Sequence, residues 1–89
     1  MSVYAIILQK PQQDMWKKIK DMWPNRNYVL NDIAAFISPP GISTSFGVAD
    51  MLGMNSEEKE IGLVVEVTSS HQGYVDKTLV EWLKKARDE

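Results

Sequence analysis

The stretch NYVLNDIAAFIS, residues 27–38, decides the fold of this 89-residue chain. It predicts two strands, Asn27–Leu30 and Ile33–Ser38, that fold back on each other at Asn31-Asp32. Asn and Asp both tolerate the left-handed conformation that a two-residue hairpin turn requires. In that register one face of the hairpin carries Tyr28, Leu30, Ile33 and Ala35, and the other carries Val29, Ala34 and Phe36.

On either side of this hairpin the chain alternates between apolar runs and helical spacing. The predicted elements are a strand Val3–Gln9, a helix Gln12–Trp23, the hairpin, a helix from a Ser43, Thr44 or Ser45 cap to about Leu52, a strand Ile61–Thr68 and a helix Lys77–Ala86. This is the βαββαβ order of a ferredoxin-like α+β fold with an additional C-terminal helix. Right-handed crossovers place its antiparallel strands in the order 4-1-3-2, and we expect residues 1–89 to form a single domain.

Both faces of the central strands are apolar. Strand 1 is apolar at six consecutive positions, Val3–Leu8, and strand 3 carries apolar side chains on both sides. The two crossover helices can cover only one face of the sheet. The second face therefore needs a cover, which is either the last helix or a second copy of the chain. If a second copy covers it, we expect an interface that includes Phe36, Tyr4 and Ala34.

Composition narrows the class of protein. The net charge of −2 and the pI near 5.3 argue against a dedicated nucleic-acid binder, and the absence of Cys excludes disulfides and thiolate chemistry. The apolar run at residues 3–8 is too short for a signal peptide or a membrane span. We therefore expect a cytoplasmic protein without a membrane partner.

The element order, the length and the C-terminal sequence Leu79-Val80-Glu81-Trp82-Leu83 resemble small bacterial ferredoxin-like proteins related to the CRISPR-associated integrase subunit. Nucleases of that family place an acidic residue just after strand 1, where this chain has Gln9-Lys10. The resemblance therefore implies homodimerisation, a common habit of such folds, but it implies no catalytic residue.

Several residues are candidate sites. Ser43, Thr44 and Ser45 precede a helix, where free N–H groups attract anions, although capping explains the same residues. His71 is the only His, and no spacing in the sequence supplies the nucleophile and the orienting residue that a catalytic His needs. A metal site made of His71 and carboxylates such as Asp32 or Asp50 would have no diagnostic spacing either. The acidic run Glu57, Glu58 and Glu60 lacks the spacing of a calcium loop. We expect no metal and no cofactor.

Aromatic and basic residues suggest further sites. Tyr4 and Phe36 on one sheet face would resemble the stacking aromatics of RNA-recognition domains. Lys17, Lys18, Lys20 and Arg26 would form a small basic patch. The helix spacing instead places Trp16, Trp23 and Trp82 in the core.

These observations rank three hypotheses. The first is a non-enzymatic interaction or assembly module that self-associates as a homodimer or binds another protein. The second is a nucleic-acid-associated protein that uses the basic helix or the open sheet face, and the third is a small enzyme. The sequence names no partner, ligand or pathway, and it does not choose between the last helix and a second chain as the cover.

Overall fold

A computed structural model describes residues 2–54, 62–68 and 77–88. The described residues form an α+β structure with one four-stranded antiparallel sheet and three helices. The elements are β1 (Val3–Leu8), α1 (Gln13–Met22), β2 (Asn27–Asn31), β3 (Ala34–Ile37), α2 (Ser45–Met51), β4 (Gly62–Val67) and α3 (Lys77–Asp88). The strands lie in the order β2-β3-β1-β4, which is the predicted order read from the other edge.

Local interactions determine where α1 ends and where α2 begins and ends. Trp23 precedes Pro24, which disfavours a helical conformation at the residue before it, and α1 stops at Met22. The Thr44 hydroxyl accepts a hydrogen bond from the Gly47 N–H at 3.0 Å and so caps α2, as predicted. Gly53 follows α2 with a φ of 72°, the left-handed conformation that commonly ends a helix.

The hairpin between β2 and β3 forms, but its predicted register is wrong. Tyr28 lies opposite Phe36 and Val29 lies opposite Ala35, with an irregularity between Val29 and Asn31. The turn therefore occupies Asp32-Ile33 rather than Asn31-Asp32.

The cause of this shift is the Asn31 side chain. Its Oδ1 accepts a hydrogen bond from the Ile33 N–H at 2.9 Å, which shapes the turn without a left-handed residue. Among the described residues only glycines have positive φ. The shift moves Tyr28 to the face of Phe36 and turns Val29 toward the main core.

The main core lies between the sheet and the helices α1 and α2. It is an apolar cluster of buried side chains, namely Tyr4, Ile6, Leu8, Met15, Trp16, Ile19, Trp23, Ala35, Ile37, Val48 and Leu52. Trp16 also donates its indole N–H to the Asp32 carbonyl at 3.0 Å, which ties α1 to the hairpin turn. Trp16 and Trp23 are buried as predicted, whereas Trp82 is only half-buried because it lies on one flank of α3.

Candidate interaction surface

The last helix covers part of the second sheet face. Leu79, Leu83 and Ala86 of α3 form a second buried cluster with Val3 of β1, and Phe36 and Val67 pack against this cluster. Val3 begins β1, so α3 lies over the end of the sheet where β1 starts. The chain's own helix α3 therefore covers one half of the second sheet face.

The contacts that hold α3 at β2 are polar and aromatic. The Tyr28 hydroxyl and the Thr78 hydroxyl are 2.7 Å apart and share a hydrogen bond. The rings of Tyr28 and Trp82 have centroids 6.2 Å apart and an interplanar angle of 55°. Thr78 and Trp82 are one helical turn apart, so this flank of α3 faces β2.

The other half of the second face is exposed. Ile7, at the end of β1, is 45% exposed, and its partners on the two sides are Leu63 of β4 and Ala34 of β3. Leu63 is 60% exposed and Val65 is 41% exposed. We call the set Ala5, Ile7, Ala34, Leu63 and Val65 the outer patch.

Val80 of α3 is a further exposed apolar residue. It is 49% exposed and lies about 200° around the helix from Thr78, since each residue adds about 100°. Because Thr78 faces β2, Val80 lies on the opposite flank of α3. The exposed apolar side chains of the outer patch, contributed by three strands, are typical of a contact site.

The direction of the backbone groups in β1 follows from one hydrogen bond. The Leu8 N–H donates to the Ile33 carbonyl at 2.7 Å, on the side of β3. In an antiparallel sheet the N–H and C=O of a residue point to the same side, and alternate residues point to opposite sides. Leu8 and Ile6 therefore bond to β3, and Ile7 and Ala5 bond to β4.

The same alternation defines the outer edge of β4. Leu63 and Val65 lie opposite Ile7 and Ala5, so their backbone groups point inward, toward β1. The backbone groups of Gly62, Val64 and Glu66 point outward, away from the sheet. In the part of the chain that the structure describes, no strand pairs with this edge and no backbone hydrogen bond from another element reaches these three residues.

A groove runs along the other face of this edge. It has a volume of about 280 Å³ and lies between α2 and β4. Its lining residues are Ser45, Phe46, Ala49, Met54, Gly62, Leu63 and Val64. Most of the lining is apolar, so the outer edge of β4 has apolar surroundings on both faces of the sheet.

The three predicted interface residues lie in three different environments. Ala34 belongs to the outer patch, and Phe36 lies beneath α3. Tyr4 pairs with Ile37 and is fully buried in the main core, so the expectation that Tyr4 and Phe36 share a face is wrong. The reason is the strict alternation of β1, in which Tyr4 shares its face with Ile6 and Leu8.

The predicted anion-binding residues lie at a short helix start. Thr44 uses its hydroxyl as the cap of α2, and Ser43 is exposed just before it. Ser45 begins the seven-residue helix and lines the groove beside β4. Capping of α2 therefore accounts for the Thr44 hydroxyl.

The predicted basic patch is exposed but mixed in charge. Lys17, Lys18 and Lys20 all lie on the outer face of α1. Asp14 and Asp21 line the same shallow surface cleft as Lys17 and Lys20. The carboxylates offset the local positive charge, which weakens the attraction of this surface for phosphates.

Other candidates give no site. His71 and the run Glu57, Glu58 and Glu60 lie outside the described residues. Within residues 2–54, 62–68 and 77–88, no three His, Asp or Glu side chains come close enough together to hold a metal ion. None of the three helices described is both long enough and apolar enough to cross a membrane.

Comparison with known proteins gives no family. No protein family model matches the chain, and neither the curated proteins nor the solved structures include a significant match. The surfaces of this molecule therefore provide the evidence for its function.

Sequence patterns indicated part of the candidate surface. Alternation along β4 puts Leu63, Val65 and Val67 on one face, and Gly62 and Glu66 on the other face are typical of an edge strand. The length of α3 relative to the sheet was not readable from the sequence. The exposure of Ile7, Leu63 and Val65 was therefore missed, because it depends on where the helix stops covering the face.

Proposed function

We propose that this protein is a small non-enzymatic module with a ferredoxin-like fold that self-associates through the outer patch and the adjoining edge of β4. The observation that carries the proposal is the half-covered second face. Ile7, Leu63 and Val65 remain exposed side by side, although α3 lies on the same face of the sheet. A second copy that packs beside these side chains removes part of their apolar surface from water, at about 25 cal/mol per Å².

The test is the solution mass measured by sedimentation across a series of protein concentrations. We expect the mass to rise from one chain toward two, and we expect Leu63→Lys to remain a monomer at every concentration. Leu63 is mostly exposed, so this substitution leaves the fold of the single chain intact. Lys18→Ala, on the opposite side of the molecule, is the matched control and should associate like the parent chain.

The exposed lysines of α1 give the second candidate function, which is association with nucleic acid. A parent chain that stays monomeric at all concentrations would contradict self-association. Binding to an oligonucleotide that weakens steeply with salt would then support the second candidate, because phosphate contacts release counterions. Loss of that binding in a Lys17→Ala, Lys20→Ala double variant would assign it to α1.

A further inference from the structure

The two edge strands of the sheet differ in how they are protected. β2 has an irregular register between Val29 and Asn31, and the Asn27 side chain bonds back to the Trp23 carbonyl at 2.7 Å. Such irregularities prevent an edge from pairing with another strand. β4 has the sequence GLVVEV, with no Pro, a regular register against β1 and one charged residue. The outer edge of β4 is therefore the edge that is suited to pairing.

We propose that β4 pairs antiparallel with β4 of a second copy, with Val64 opposite Val64 of the partner chain, so that two four-stranded sheets become one. This inference rests on the proposed self-association and specifies its geometry. A twofold axis perpendicular to the sheet relates the two strands. Residues that lie opposite each other across this axis share a face of the sheet.

The register follows from the outward-pointing backbone groups. With Val64 opposite Val64, Gly62 of each chain lies opposite Glu66 of the other. All three outward-pointing residues of each strand are then paired, which gives about six interchain hydrogen bonds. Moving the register by two residues in either direction leaves one of the three unpaired.

The side chains fit the same register. Glu66 faces a glycine rather than another carboxylate or an apolar side chain, so no like charges oppose each other. On the other face Leu63 of one chain lies opposite Val65 of the second. The two outer patches then form one apolar strip across the joined sheet, and this self-complementarity favours a second copy over an unrelated partner.

The contact is small. Five strand residues extend about 17 Å at about 3.4 Å per residue. Edge pairing of that length buries less than the ~800 Å² per partner of a standard stable interface. We therefore expect a dimer that dissociates on dilution.

Cysteine pairs test the register, and the chain has no Cys of its own. In the proposed pairing Leu63 and Val65 of the partner chain are directly opposite at a Cα distance of about 4.5 Å, which a disulfide spans. Leu63 and its own copy are offset by two residues and lie about 8 Å apart, beyond disulfide reach. The experiment mixes Leu63→Cys with Val65→Cys under mild oxidation, and Lys18→Cys with either of them measures random collisions.

We expect the mixed pair to form the covalent dimer several-fold more than either variant alone or the Lys18→Cys mixtures. Sedimentation of the reduced samples separates the failures. Reduced samples that dimerise but give no excess of the Leu63→Cys, Val65→Cys product would overturn the edge pairing and leave self-association in place. Samples that stay monomeric would overturn both. If either variant fails to fold, hydrogen exchange of the Val64 amide in the parent chain tests the edge pairing instead. This amide must become protected as the dimer forms, and an amide that stays unprotected in the dimer would overturn the pairing.

Discussion

The two halves of the second sheet face should respond differently to the same substitution. Phe36 lies beneath α3 and Leu63 lies in the outer patch, and both are on the same face of the sheet. Phe36→Asp places a carboxylate among Val3, Leu79 and Leu83, whereas Leu63→Asp places it in water. The pair therefore measures where the cover provided by α3 ends.

The expected magnitudes follow from burial. Full burial of a Phe side chain contributes about 1.5–3 kcal/mol, and half-buried Phe36 contributes about half of that. A carboxylate without a partner beneath α3 adds a desolvation cost of at least about 2 kcal/mol. Phe36→Asp should thus lower the free energy of unfolding by about 3 kcal/mol or more. The low propensity of Asp for strands costs up to about 1 kcal/mol and affects both variants alike.

Urea unfolding followed by circular dichroism measures both variants, at a concentration low enough to keep each chain monomeric. We expect Leu63→Asp to lose about 1–2 kcal/mol and Phe36→Asp to lose at least 2 kcal/mol more, a difference of roughly 10 °C in Tm for a domain of this size. Equal losses in the two variants would mean that α3 does not cover Phe36 more than it covers Leu63.

Three further predictions concern the packing of the chain and are checked by the same unfolding measurements. Trp16→Ala should cost about 3–5 kcal/mol, because Trp16 is only 3% exposed, and Trp16→Phe should cost about 1–2 kcal/mol through loss of the bond to the Asp32 carbonyl; a Trp16→Phe variant as stable as the parent chain would contradict that bond. Gly62→Ala should cost about 1–3 kcal/mol, because the added Cβ collides with the Ile7 backbone, and a neutral result would contradict the close approach of β1 and β4. Tyr4→Phe should be neutral or stabilising by up to about 1 kcal/mol, because none of the described residues forms a hydrogen bond with the buried Tyr4 hydroxyl; a clear loss of stability would reveal a partner.

Element types and strand order were predictable because strong local signals determine them. The apolar run at residues 3–8 requires a central strand, and the spacing of Met15, Trp16 and Ile19 requires a helix with one buried face. Right-handed crossovers then leave one strand order. The position of Gly53 after α2 was predictable for a similar local reason, since a helix often ends on a left-handed glycine.

The hairpin register and the extent of α3 were not predictable, because both depend on contacts between distant parts of the chain. The turn is displaced by one residue through the Asn31 side chain, and the displacement brings Tyr28 beneath α3. Tyr28 then bonds to Thr78, 50 residues away, and this contact helps to hold α3 over one half of the face. Because α3 lies over only one half of the face, the outer patch stays exposed. No local sequence pattern predicts this exposure.

Amide hydrogen exchange of β4, measured residue by residue in the parent chain at low and high concentration, tests the proposed pairing of two β4 edges. At low concentration the outward amides of Gly62, Val64 and Glu66 should exchange faster than those of Leu63 and Val65, which bond to β1. At high concentration the Val64 amide should become as protected as its neighbours. A Val64 amide that is already protected in the monomer, or that still exchanges rapidly at high concentration, would contradict the pairing of this edge with a second copy.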